Sequence, residues 1–487
     1  MGGDEMTAIK GLFGEKKRHD VDMTSGNIVR HLLYFAFPLL LGNVFQQLYN
    51  MVDTWVVGNF VGNTAFSAVG SVGPIINMLI GFFGGLASGA GAVISQYYGA
   101  KQEERVRDTV HTTILMTLFM ALLFTVIGVF ITPLMLGLMN TPEEVLPEAT
   151  TYLIVYFSGV IGLMLYNVGA GILRAVGDSK RPFYFLLVSA LLNTALDLLF
   201  VLAFGMGVEG VALATIIAQG VSAILVMITL SRAESCVRIE WKRLKMDFGI
   251  LGKIFKVGIP AALQMAITGF SNVFVQSYIN DFGADGMSGW TAYAKIDQLI
   301  LLPMQSLAMA STTFVAQNLG SRQEARARAG VGRALLLSVG TTAFLMLPVM
   351  IFAPQLVAFF NDTARVVEYG TLLLRWISPF YVLCCVNQIL AGALRGAGNS
   401  RAPMIIMLSS FVALRQVFLY VMTDHIIPWL QTGMALDENT RLILIAMSYP
   451  AGWLAASVLM FVYYHRTKLT STRLVESQND NASIAKT

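Results

Sequence analysis

Asn193 and Asp197 stand four residues apart inside a long apolar run, so on a helix they share one face. A second carboxyl, Asp53, sits in another apolar run with Asn43, Gln46, Gln47, Asn50 and Thr54, whose spacings of three and four mark a single polar stripe. A central membrane Asp costs about 2.5–3.5 kcal/mol on insertion scales, so each such residue calls for a reason. Two carboxyls on two helices, with amide neighbours, can hold a proton or coordinate Na⁺. Burial and a neighbouring like charge both disfavour the ionised form, which lets such a pair titrate near neutrality. Asp53 lies near the end of its run, where a headgroup-level carboxylate is the alternative to the ion-coupling role expected of Asp53 with Asp197. Asp197 is about fifteen residues into its run, and an interfacial position explains it poorly.

The second half of the chain carries different chemistry. Gln264, Thr268, Ser271, Asn272 and Gln276 form a related stripe that lacks a carboxylate. Lys295, Asp297, Arg375 and Arg415 fall within apolar runs and are expected to be buried there. Lys295 and Asp297 are two residues apart and do not face each other on a straight helix. They are expected to pair with other helices, Asp297 with Arg375 or Arg415, either structurally or to gate a substrate or an ion. Pro38 and Pro260 interrupt the two stripe-bearing runs and predict bends there. The five histidines show no metal-ligand spacing, and no Gly-Lys-Ser/Thr phosphate loop is present, so neither a metal centre nor a nucleotide site is expected. Of the three cysteines, two are adjacent, which excludes a disulfide framework.

These residues need helices to position them. With 55% hydrophobic and 13% charged residues and a mean hydropathy of +0.65, the chain does not read as a water-soluble globule. Spans of roughly 20 apolar residues begin near Leu32, Phe66, Thr109, Pro147, Phe183, Val208, Leu251, Gly286, Ala329, Val366, Met404 and Arg441. The expected fold is an all-α polytopic membrane protein with twelve transmembrane helices. Lys and Arg crowd every second connection, while loops 59–65, 139–146, 204–208 and 281–286 hold none. The net charge of +4 says less than this alternation. By the positive-inside rule both termini and the basic linker are cytoplasmic. The linker's Arg-Ile-Glu-Trp-Lys-Arg-Leu-Lys run predicts an amphipathic segment on the anionic inner leaflet rather than a nucleic-acid site.

A decapeptide repeats 221 residues apart, as Leu173–Pro182 and Leu394–Pro403. Pro38 and Asn50 match Pro260 and Asn272, and Gln96, Gly99, Glu103 match Gln317, Gly320, Glu324. An even six helices per copy predicts parallel repeats, two six-helix lobes related by a pseudo-twofold axis along the membrane normal. The expected divisions are a cytoplasmic tail over 1–26, an N-lobe over 27–232, the linker over 233–250, a C-lobe over 251–468 and a disordered cytoplasmic tail over 469–487.

Asn50-Met-Val-Asp-Thr, Gln96-Tyr-Tyr-Gly-Ala and Leu173-Arg-Ala-Val-Gly-Asp-Ser, in this order, resemble the multidrug and toxic compound extrusion (MATE) transporters, in particular their DinF-like branch. The resemblance implies an exporter, not an enzyme, whose lobes open alternately to either side, working as a monomer in the inner membrane of a prokaryote. It implies antiport of small amphipathic cations against H⁺ or Na⁺, with no cofactor. Position by position, Asp53 looks like the family's acid of helix 1, and Asn193 and Asp197 like its helix 5 pair. Thr215, Tyr152 and Asn167 look like the surrounding hydrogen-bonding shell, and Pro38 like the bending proline. Where NorM-like relatives carry a Glu in helix 7, this chain has Thr268, which leaves Gln264, Lys295, Asp297 and Arg415 as C-lobe candidates without a known counterpart. A lipid-linked oligosaccharide flippase and a dedicated metabolite exporter are the alternatives. A membrane enzyme lacks any recognised nucleophile or metal motif, and a channel suits a duplicated two-lobe plan less well.

Overall fold

Backbone N–H and C=O groups find no water in hydrocarbon, so each long apolar run satisfies them internally as a helix. The computed structural model describes residues 20–139, 141–433 and 436–470, and among them every expected span is helical. The first half holds α1 (Ile28–Val61), α2 (Thr64–Gly99), α3 (Glu103–Gly137), α4, α5 (Lys180–Ala203) and α6 (Val208–Ser231). The second holds α7 (Phe248–Asn280), α8 (Gly283–Gly320), α9 (Glu324–Ile351), α10 (Ala364–Gly396), α11 (Arg401–Thr432) and α12 (Glu438–Arg466). Helix α4 is a broken span, Leu146–Ser158 and Val160–Ala175 meeting at 48°. Its break is at Gly159, where a Cβ would stand 2.3 Å from the Ile216 side chain on α6. The polar stretch through residue 19 and the tail from 471 lie outside the described residues.

The repeated decapeptide closes the α4–α5 and α10–α11 turns. Gly177 and Gly398 take φ of +87° and +79°, which only glycine adopts without strain. Asp178 Oδ1 then accepts the Lys180 and Arg181 N–H groups, each at 3.1 Å, and so caps α5. The same symmetry holds after α2 and α8, where Lys101 and Arg322 both turn left-handed, at +57° and +60°.

The lobes meet along α2 and α7, whose glycines bring backbone onto backbone. A Cβ on Gly85 or Gly89 would lie 2.3 Å from the backbone of Ala262 or Gly258. Nearer the basic end of the bundle (the end bearing the Arg- and Lys-rich turns), two glutamines reach across reciprocally. Gln96 Nε2 donates to the Gly396 carbonyl at 2.7 Å, and Gln317 Nε2 to the Ala175 carbonyl at 3.0 Å. The segment before α1 lies over this seam. Val21 N–H donates to the Val176 carbonyl of the N-lobe (2.9 Å) and Met23 N–H to Gln317 Oε1 of the C-lobe (3.0 Å). Arg326 Nη2 binds the Met23 and Ser25 carbonyls at 3.2 and 2.8 Å. Among the described residues, side-chain hydrogen bonds between lobes reach no further from the basic end than Asn43 Nδ2 on Ser306 Oγ, at 3.4 Å. The bundle is therefore sealed at its basic end, and among the described residues no side-chain hydrogen bond joins the lobes beyond that contact.

The linker departs from the amphipathic surface segment expected of it. Only Trp241–Arg243 forms a helical turn, and Val237 and Ile239 are buried in the protein. Its backbone is pinned to α3, Glu240 N–H on His111 Nε2 (3.1 Å) and Asp247 N–H on Thr112 Oγ1 (3.0 Å). Val237 and Ile239 thus find a protein partner, while Trp241 stays exposed.

Candidate functional site

Helices α1 and α5 pack together in the N-lobe and bring Asp53 and Asp197 within interaction range of each other. Asp53 is 8% exposed and Asp197 fully buried. Neither oxygen of Asp197, nor Asp53 Oδ1, nor either amide atom of Asn193 meets a hydrogen-bond partner at proper geometry among the described residues. Two ionised carboxylates have no donor to offer each other. Their unpartnered oxygens are therefore acceptors for a proton or a small cation, and without one the burial is costly.

Both helices change winding directly after the acid. A π-type turn spans Val57–Val61 behind Asp53 and another spans Leu199–Ala203 behind Asp197. Such turns loosen the regular ladder and are frequent at functional positions. Around the carboxyls stands an aromatic wall. Tyr152 neighbours Asp53, Asp197 and Thr215. Tyr49 neighbours Asp53, with Gln46 and Gln219 beside its hydroxyl. Tyr156 stacks on Tyr152, with ring centroids 6.4 Å apart and planes 14° apart. The bend of α4 at Gly159 aims the Tyr152–Tyr156 segment differently from the rest of its span.

Of the residues singled out in the sequence, Asp53, Asn193, Asp197, Tyr152 and Thr215 are all buried, and the contacts above gather four of them. Thr215 Oγ1 also donates to the Val211 carbonyl at 3.1 Å. Asn167 is turned onto its own helix, Nδ2 donating to the Leu163 carbonyl at 2.8 Å. Asn50 is exposed, and Pro38 is buried within α1. Tyr49, Tyr156 and Gln219 were not singled out. Their spacing was available: Tyr49 is four before Asp53, Tyr156 four after Tyr152, and Gln219 four after Thr215.

The C-lobe candidates do not assemble as expected. Asp297 pairs with neither Arg375 nor Arg415. Its Oδ1 accepts from the Tyr381 hydroxyl and, at 3.4 Å, from Tyr293. Arg375 is exposed, its Nε donating to the Met350 carbonyl at 3.3 Å. Arg415 is buried with its guanidinium 4.1 Å from the Tyr449 ring centroid. Phenol donors and an aromatic face replace the expected ion pair, because Trp290, Tyr293, Tyr381, Tyr449 and Trp453 fill the space between. Gln264 Nε2 contacts Met407 Sδ at 2.9 Å. Lys295, expected to be buried, is exposed. Among the described residues no group of three His, Cys, Asp or Glu side chains is arranged to hold a metal ion.

Comparison with known proteins identifies the family. The MatE family profile matches residues 38–199 and again 260–421, once per lobe. The chain is 30% identical over 455 residues to the probable multidrug resistance protein YpnP of Bacillus subtilis (strain 168), covering 93% of this chain and 98% of that one. It is 23% identical to the multidrug export protein MepA of Staphylococcus aureus (strain MRSA252), over 92% and 97% of the two chains. Among solved structures, an outward-facing MATE family transporter of the MOP superfamily superposes with a TM-score of 0.84 at 22% identity, covering 97% of this chain and all of that one. A MOP superfamily transporter from Pyrococcus furiosus gives 0.85 at 22% identity, over 93% and 98%. The duplicated match, the twelve spans and the two-lobe superposition agree that this chain belongs to the MatE family, as a multi-pass membrane transporter and not an enzyme.

Proposed function

We propose that the protein is a secondary-active multidrug exporter that exchanges small amphipathic cations for H⁺ or Na⁺ bound at Asp53 and Asp197. The observation that carries this reading is the buried carboxyl pair whose oxygens lack donors. Relatives named for multidrug resistance and multidrug export supply the substrate class. Asn193 and Thr215 would complete the ion site, and Tyr49, Tyr152 and Tyr156 would shield it from bulk water. The basic end is the cytoplasmic one by the positive-inside rule, with both termini inside the inner membrane of a prokaryote. The lobes are then closed inward and parted outward, the state that releases substrate and takes up the coupling ion. Pro38 removes one backbone hydrogen bond from α1, so the helix carrying Asp53 can change its bend as the site fills. The protein works as a monomer and needs no cofactor, the coupling ion being its second substrate. An inward-moving charge supplies about 2.3 kcal/mol per 100 mV.

The test is ethidium efflux from energised cells under imposed pH or Na⁺ gradients, at matched expression. Gradient-dependent efflux by the wild type that disappears in Asp53→Asn and in Asp197→Asn supports the reading and names the ion. Full efflux in both variants refutes it.

A further inference from the structure

The C-lobe, at the end away from the seal, carries a charge that the exchange reading leaves unused. Helix α8 is the most protein-enclosed of the spans, yet one line of it is exposed, Met287, Thr291, Lys295, Gln298, Gln305 and Met309, with Leu299 exposed at its edge. Spacings of four, four, three, seven and four keep these on one face. An ammonium and two amides in mid-helix are costly against hydrocarbon, so this face borders water. The Asn43–Ser306 contact sets the depth. Asp53 lies ten residues beyond it on α1, and Lys295 eleven residues beyond it on the antiparallel α8. At 1.5 Å per residue both stand about 15–17 Å past the contact, at one level on opposite lobes. Asn50 and Thr54 are exposed on α1 over the same interval.

Lys295 makes no hydrogen bond or ion pair among the described residues, and the nearby Asp297 is occupied by two phenols. The two lobes therefore carry opposite polarity at this level: a carboxyl pair behind tyrosines in the N-lobe, an exposed ammonium in the C-lobe. An ammonium on a flexible stem, with the Gln298 amide and the exposed Leu299 side chain within a turn of it, suits an anionic oxygen group on an otherwise apolar body.

We infer that Lys295 is a substrate-binding residue that selects amphiphiles bearing a carboxylate as well as a cationic nitrogen. This deepens the export reading by naming the substrate class. The probes are rhodamine B, a zwitterion, and its ethyl ester, which keeps the cation and loses the carboxylate. Fluorescence titration of the purified full-length protein measures their binding without any gradient. The wild type is expected to prefer the acid, and Lys295→Gln to weaken the acid about tenfold, the scale of one charged hydrogen bond, while leaving the ester within about twofold. Lys295→Arg should retain the preference. Equal loss of both ligands, no loss of either, or a wild type with no preference overturns the inference, the second being the result if Lys295 reaches up to lipid phosphates instead. Asp197→Asn is expected to keep the acid-over-ester preference and lose gradient-driven efflux. A preference that follows Lys295 with efflux insensitive to Asp197 would refute the coupling site and leave the Lys295 assignment standing.

Discussion

Asp197 and Asp53 differ in how they are held, and the difference has consequences for substitution. Asp197 is fully buried with both oxygens buried and unpartnered, whereas Asp53 retains slight exposure and has one buried unpartnered oxygen. Replacement by Asn removes the charge while keeping the shape, so both variants should fold and reach the membrane at wild-type levels, checked by fluorescence-detected gel filtration. Tyr49→Phe removes only a hydroxyl beside Gln46 and Gln219. A hydrogen bond of this kind is worth about 0.5–1.5 kcal/mol, so efflux should fall by no more than about tenfold and not vanish. Outside the membrane, burial pushes the Cys236 thiol up to about 11. A raised thiol pKa leaves little thiolate at pH 8, so maleimide labelling should be slow there and quicken as the pH approaches that value. His111→Ala, which releases the Glu240 N–H from α3 while Asp247 stays on Thr112, should speed labelling at pH 8 in a Cys384→Ser, Cys385→Ser background.

At the scale of elements, the spans were legible because hydropathy and charge alternation report the membrane directly: each helix begins within six residues of its expected start. The carboxyl site was legible because an acid in an apolar run stands out against its neighbours. The tyrosine wall was not, since an aromatic at helical spacing looks the same in a core as at a site. Nor were the π-type turns after Asp53 and Asp197, which depend on packing rather than on local residue preference. The Asp297 pairing failed for a similar reason, five aromatic rings filling the space a sequence-level pairing rule leaves blank. Between elements, the α2–α7 crossing rests on glycines with no room for a Cβ. Gly89→Val should cost about 1–3 kcal/mol by overpacking, read as a lower midpoint of thermal unfolding, whereas Gly220→Ala, which meets nothing within 4 Å, should be silent.

Over the whole molecule, the duplication explains why the seal is reciprocal. Gln96 and Gln317 are equivalent residues, and each satisfies a carbonyl of the opposite lobe. Removing both amides takes the donor from the Gly396 carbonyl and the acceptor from the Met23 N–H, while Ala175 keeps Ser95 Oγ; each buried group left unpaired costs about 1–3 kcal/mol, borne only while the basic end is closed. Gln96→Ala with Gln317→Ala should therefore shift the population toward the arrangement opened at that end, measured as a longer spin-label distance between lobes across it. A distance distribution unchanged from the wild type would show that the glycine crossing and the 20–25 segment suffice. In the proposed exchange α1 would connect the seal to the site, because it carries Asp53 at one depth and the Asn43–Ser306 contact at another.

The most direct test of ion coupling at Asp53 and Asp197 is ion release on substrate binding. Purified protein in weakly buffered solution would be mixed with ethidium while pH and free Na⁺ are followed. Release of H⁺ or of Na⁺ by the wild type, absent in Asp53→Asn and in Asp197→Asn, is the expected result. Release that persists undiminished in both variants would contradict the assignment of the coupling ion to this pair.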